Sequence, residues 1–179
     1  MVENKRKEVS SLTHDTKDVG VSAHQEMKIE KIIFLDFDGV ITTQNTRFKA
    51  FDLECMKHLK LIVDKTNAFI VISSTWRRFD SLIKLKQMFE PFGLFNRVID
   101  TTPIRNDNDW GRGKEIEEWL NFKHPFSWNI NGFVILDDDT DMEPFMEHLV
   151  QTDSNIGLQE KDIEKCVKIL DKPINIGNK

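Results

Sequence analysis

The chain has 179 residues, 39% of them apolar and 31% charged, with a formal net charge of −5. That length suits one domain able to bury a real core, and the acidic balance argues against nucleic-acid binding through bulk charge. No apolar run approaches the length of a bilayer span, and the first residues lack the apolar stretch of a secretory signal. The two cysteines, Cys55 and Cys166, have no CxxC spacing. That speaks against a disulfide framework or a zinc knuckle, and a reducing, cytoplasmic setting is expected.

Residues 1–28 are polar and read as a mobile tail, 29–172 as one folded domain and 173–179 as a polar end. The first element is Ile32-Ile33-Phe34-Leu35, an apolar run of the kind buried on both faces of a parallel sheet. It runs into Asp36-Phe37-Asp38-Gly39-Val40, where two carboxylates are followed by a glycine that permits a sharp turn. Leu53, Met56, Leu59, Ile62 and Val63 then recur at helical spacing. Ala68 to Ile72 is a second strand, closed by Ser73-Ser74-Thr75. A helix capped by Asp80 or Ser81 carries Leu82, Leu85, Met88 and Phe89, and Pro91 and Gly93 stop it. Arg97 to Ile99 is a short third strand. After a polar loop, Gly111-Arg112-Gly113-Lys114 opens a helix with Ile116, Trp119 and Leu120, and Asn121 to Gly132 reads as irregular. Phe133 to Leu136 is a fourth strand, ending in Asp137, Asp138, Asp139 and Asp141. A weak strand begins at Leu149, and a final helix spans 160–170.

Strands alternating with helices predict a three-layer α/β/α sandwich, with a mainly parallel Rossmann-like sheet of about five strands. The polar residues gather after strands 1, 2 and 4 and before helix 3, positions that share one edge of such a sheet. Open α/β sheets bind ligands at that edge. Two nearby decoys fail. Asp137 to His148 lacks the glycine and glutamate of a calcium loop. Gly111 to Lys114 lacks the spacing of a phosphate loop.

The four polar points have a joint chemistry. An aspartate can attack phosphorus, and an acid two residues on can give and take the proton. A hydroxyl and a cation can hold the phosphoryl oxygens. Acids after strand 4 can complete a site for Mg2+, a hard cation that takes oxygen ligands.

On these motifs the chain resembles the haloacid dehalogenase-like (HAD) superfamily of phosphatases. The resemblance implies that Asp36 is the nucleophile and Asp38 the acid/base, with the Asp38 backbone carbonyl on the metal. It implies phosphoryl binding by Ser73, with Ser74 as substitute, and by Arg112 or its neighbour Lys114. It implies an Mg2+ site of Asp36, Asp38, Asp138 and Asp137, with Asp138 the direct ligand, Asp137 in support and Asp141 a further candidate. Ser73-Ser74-Thr75-Trp76-Arg77, Arg112-Gly113, Trp119-Leu120, Asp137-Asp138 and Gly157-Leu158 are similar to the HAD domain of Swiss Army knife RNA repair proteins, and that name implies work on nucleic-acid ends.

Arg77 and Arg78 read equally well as contacts to a substrate phosphate or as a solvated helix start. Trp76, Trp110 and Trp119 read as packing residues rather than base-stacking platforms. Neither interval between motifs has room for a folded cap domain, and a large cap is not expected. The open site suits a macromolecular phosphate, on a protein or a nucleic-acid end. The competing reading is a non-catalytic module that binds a phosphorylated partner.

Overall fold

The computed structural model describes residues 31–105, 111–123 and 130–174. The polar segment 1–28, most of the C-terminal end and Trp110 lie outside these residues. Five parallel strands form one sheet: β1 (Lys31–Leu35), β2 (Phe69–Ile72), β3 (Val98–Thr101), β4 (Gly132–Asp137) and β5 (Leu149–Gln151), in the order β3-β2-β1-β4-β5. Four helices accompany them: α1 (Leu53–Thr66), α2 (Leu82–Met88), α3 (Arg112–Lys123) and α4 (Glu160–Leu170). This is the α/β architecture that the alternation predicts, consistent with the HAD-like fold that the resemblance implies, with no large cap among the described residues. No helix of the described residues is long and apolar enough to cross a membrane.

β1 is central and buried on both faces, which is why it is apolar without alternation. Ile33 and Leu35 pack on one side with Met56, Leu59 and Ile62 of α1, Leu85 of α2 and Ile163, Cys166 and Ile169 of α4. Ile32 and Phe34 pack on the other with Ile116, Trp119 and Leu120 of α3. α1 departs from expectation at its first residue. Leu53 is exposed and Cys55 is buried in the core, because a residue at the first turn projects past the sheet edge. α3 runs on to Lys123, through part of the stretch that reads as irregular, and a short 3-10 turn at Met146–His148 precedes β5.

The sheet register builds the functional edge. Leu35 pairs with Ile72 on one side and Leu136 on the other. One rung further, the Asp36 amide donates to the Leu136 carbonyl (2.9 Å) and the Ser73 amide to the Leu35 carbonyl (2.8 Å). Asp36, Ser73 and Asp137 thus emerge from three adjacent strands.

The start of α3 is brought to the same edge by the loop after β4. The Arg112 amide donates to Asp141 Oδ2 (2.9 Å) and the Gly113 amide to the Asp141 carbonyl (3.0 Å). A Cβ at Gly113 would stand 2.2 Å from the Glu143 carbonyl oxygen, so only glycine permits this approach. Replacing Gly113 by Ala is expected to lower stability by about 1–3 kcal/mol, the usual cost of overpacking against backbone. Urea unfolding checks it; an unchanged midpoint would show that the loop gives way freely.

Candidate active site

Asp36 is 6% exposed and Asp137 fully buried. One oxygen each of Asp36, Asp137 and Asp138 lie within 4.8 Å of one another, a grouping able to hold a metal ion. Asp36 Oδ1 accepts from the Phe37 amide (2.6 Å). Its Oδ2 faces Arg112 Nη2 at 3.4 Å, and Arg112 Nε lies 3.9 Å from Asp137 Oδ2. Three carboxylates therefore face one guanidinium.

The electrostatic consequence is direct. Burial pushes the Asp36 carboxyl up; Arg112, a hydrogen bond from Ser74 and the Phe37 amide pull it back only in part. Burial, and then the charge of Asp36, push Asp137 up to about 8. Burial also raises Asp138, helped by Asp139. Burial opposes the charge on Arg112, but Asp36 and Asp137 outweigh it and hold the guanidinium protonated.

A cation fits this donor set. Asp137 Oδ2 is buried without a hydrogen-bond partner among the described residues, as are Ser73 Oγ, Thr102 Oγ1 and Arg112 Nη1. An acceptor-only oxygen left bare in an anionic cluster is satisfied by a hard cation. Gly39, at φ +74°, completes the cradle: a Cβ there would lie 2.4 Å from the Asp138 carboxyl.

The structure separates the sequence candidates. Asp38 lies outside the carboxylate triad. Its Oδ1 accepts from Thr42 Oγ1 (2.8 Å) and its Oδ2 from Trp76 Nε1 (3.0 Å). Of the two candidate cations, Arg112 reaches Asp36, whereas Lys114 turns to Glu117 (3.3 Å) on the surface of α3, since successive helix positions face different ways. Ser74 carries the hydroxyl that bonds Asp36, while Ser73 Oγ stays buried and unpartnered among the described residues. Asp141 holds the first turn of α3 and is not one of the clustered ligands.

Arg77 lines the cleft beside the carboxylates but is far more buried than a solvated helix start. Its side chain is 3% exposed and ion-paired to Glu115 of α3. It also donates to the carbonyls of Ser74, Thr102 (3.1 Å) and Pro103 (3.4 Å). Burial lowers its pKa, with Glu115 acting against the shift. The guanidinium is spent on the loops after β2 and β3, and so holds the site from behind.

Trp76 packs against the core as expected and makes one further contact. Its ring does pack edge-on against Phe37 at 5.5 Å, but its N–H reaches a carboxylate 38 residues away. No local spacing could have signalled that bond. Trp119 does pack in the core, edge-on against Phe34 at 5.3 Å.

Beside the carboxylates lies a cleft of about 200 Å³, lined by Thr75, Gly111, the cations Arg77, Arg78, Arg105 and Arg112, and the acids Glu115, Asp139 and Asp141. The interval from Asp36 to Asp52 contributes a single 3-10 turn, Gln44–Thr46.

A family model described as the HAD domain in Swiss Army Knife RNA repair proteins matches residues 32–163. No curated protein and no solved structure matches the chain.

The raised Asp137 carboxyl makes a pH prediction. Its folded-state value, about 8, lies above the ordinary 3.8, so the folded protein binds the extra proton between those limits. The stability this gives is complete below the lower value and is lost as pH rises through the upper one. The metal-free protein should therefore melt lower at pH 8 than at pH 5, with a shallower slope in Asp137→Asn. A saturating divalent cation should raise the pH 8 melting temperature by at least about 4 °C in the wild type, roughly 1–2 kcal/mol for a chain this size, and by much less in Asp137→Asn. Calorimetry with and without EDTA decides it; equal cation effects in the two proteins would remove Asp137 from the site.

Proposed function

The chain belongs to the family of HAD domains found in Swiss Army Knife RNA repair proteins, and on that footing we propose that it is a Mg2+-dependent phosphatase working through an aspartyl phosphate on Asp36. HAD membership carries a phosphatase-type function in general. The finer reading is supported above all by one observation: Asp36 lies at the end of the central strand with Arg112 on one oxygen and Asp137 and Asp138 beside it.

The chemistry follows from the residues. Asp36 attacks phosphorus, and the ester oxygen leaves with a proton from Asp38. Asp38 then takes a proton from water, whose oxygen displaces Asp36 and frees phosphate. Arg112 and the Ser74 hydroxyl hold the phosphoryl oxygens while charge moves through them, and Ser73 Oγ supplies a further buried donor. Asp36, Asp137 and Asp138 would hold Mg2+, which supplies charge neutralisation and Lewis acidity when bound. Burial leaves the Asp36 carboxyl raised even with Arg112 beside it, and a cation among these oxygens would favour its ionised form.

For the substrate we favour a phosphate at a nucleic-acid end over a phosphoprotein. The family description names RNA repair, and the cleft beside the carboxylates presents Arg78 and Arg105 next to Arg112. Arginine is suited to phosphate oxygens. The interval after β1 holds one short 3-10 turn, Gln44–Thr46, and no folded cap, which suits a large substrate.

Asp36→Asn should reduce hydrolysis of 4-nitrophenyl phosphate at least about 1000-fold with an unchanged circular dichroism spectrum, and EDTA should do the same to the wild type. Turnover that survives either treatment would sink the mechanism. A panel of 3′- and 5′-phosphorylated oligonucleotides and phosphopeptides tests the substrate. Preference for the oligonucleotides, weakening with added salt, is expected, and preference for the peptides would reverse that choice. Binding of metal and phosphate with no turnover of any ester would leave a non-catalytic module.

A further inference from the structure

We infer that Trp76 is a positioning residue for Asp38: its indole N–H holds one carboxylate oxygen and so fixes how the carboxyl is presented to the substrate. The inference rests on the phosphatase reading above.

Asp38 Oδ2 accepts from Trp76 Nε1 at 3.0 Å, and Oδ1 accepts from Thr42 Oγ1 at 2.8 Å. The two donors differ in kind. An indole N–H can only donate. A proton placed on Oδ2 would oppose it and forfeit the bond in a half-buried setting. A hydroxyl donates or accepts as its rotor turns. Thr42 Oγ1 also lies 3.1 Å from the Phe37 carbonyl oxygen, so it has a second acceptor in reach. With Asp38 ionised, Thr42 donates to Oδ1. With Oδ1 protonated, Thr42 donates to Phe37 and accepts from Oδ1. Both charge states of Asp38 are accommodated on Oδ1 and only the ionised one on Oδ2.

The orientation of the carboxyl matters twice in the reaction. As Asp36 bonds to phosphorus and the P–O ester bond breaks, the Asp38 proton passes to the leaving oxygen. As water oxygen bonds to phosphorus and the bond to Asp36 breaks, a water proton returns to Asp38.

Trp76 is itself well held. Its ring lies edge-on to Phe37, and its backbone N–H donates to Ser74 Oγ at 3.4 Å. One short turn after β2, Thr75–Arg78 with Ser74 as its cap, thus fixes the indole that reaches Asp38.

The test is the dependence on leaving group. Nitrophenolate departs with little help from an acid, whereas an alkoxide needs its proton. Trp76→Phe keeps an aromatic ring against Phe37 and removes the N–H. With Mg2+ present, kcat/KM, which reports the steps up to departure of the first product, should fall at least about tenfold more on benzyl phosphate than on 4-nitrophenyl phosphate, a fraction of the 100- to 10,000-fold a general acid supplies. Equal losses on the two esters, or none, would overturn the inference while leaving the phosphatase reading standing. If the wild type hydrolyses neither ester, that reading fails and takes this one with it. A measurement independent of turnover and of the Phe variant's folding is the Trp76 indole N–H resonance: in Asp38→Ala it should shift well outside the spread of the other indoles, and an unmoved resonance would show that the bond is not made.

Discussion

Three carboxylates and one guanidinium share the end of β1 and β4, and the tension between them organises this molecule. The parallel register leaves no choice about it: once Leu35 pairs with Leu136, Asp36 and Asp137 occupy the next rung side by side. Neither can retreat, because both belong to strands buried on two faces. Like charges in a desolvated place either bind protons or recruit a cation. Arg112 answers part of the demand, and the bare Asp137 Oδ2 marks the part left over. That imbalance makes the cluster a strong metal-binding candidate.

Arg112 can answer only because α3 starts where it does. Asp141 receives the first amide of that helix, and Gly113 lets its backbone lie against Met142 and Glu143. On the far side Glu115, one turn into α3, is locked to Arg77. Arg77 in turn gathers the carbonyls of Ser74, Thr102 and Pro103. A buried ion pair is weak evidence for net stability, since both ions lose water, but removing one partner is severe. Here its geometric effect is plain: the loops after β2 and β3 are fastened to the helix that carries Arg112. The candidate site groups thus sit on strand ends and a helix start, the rigid parts of the fold, so that few degrees of freedom are left to order on binding.

The sheet, its parallel sense and the edge that carries the chemistry were legible because they depend on short-range patterns. A four-residue apolar run that stops at an aspartate is a buried strand meeting its end, and Asp36, Ser73 and Asp137 each follow such a run. Arg112 could be narrowed only to a pair. Arg112 and Lys114 are both cations at a helix start, and the direction each side chain takes depends on how α3 is docked. Ser73 and Ser74 were ambiguous for the same reason: adjacent residues leaving a strand point to opposite sides, and the sequence does not say which side faces Asp36.

By itself, then, the sequence determined the class of fold and singled out Asp36, Asp38 and the acidic cluster as candidates, because each is marked by residue type at a strand end. The tertiary structure alone decided which groups surround them. Arg77 looked like a surface cation and is a buried strut, since its partner Glu115 lies 38 positions away. Trp76 looked like packing and holds Asp38 across an equal separation. Contacts of that range are set by how the loops after β1, β2 and β4 converge on one edge. Convergence of this kind is a property of the packed sheet, with no periodicity or spacing along the chain to announce it.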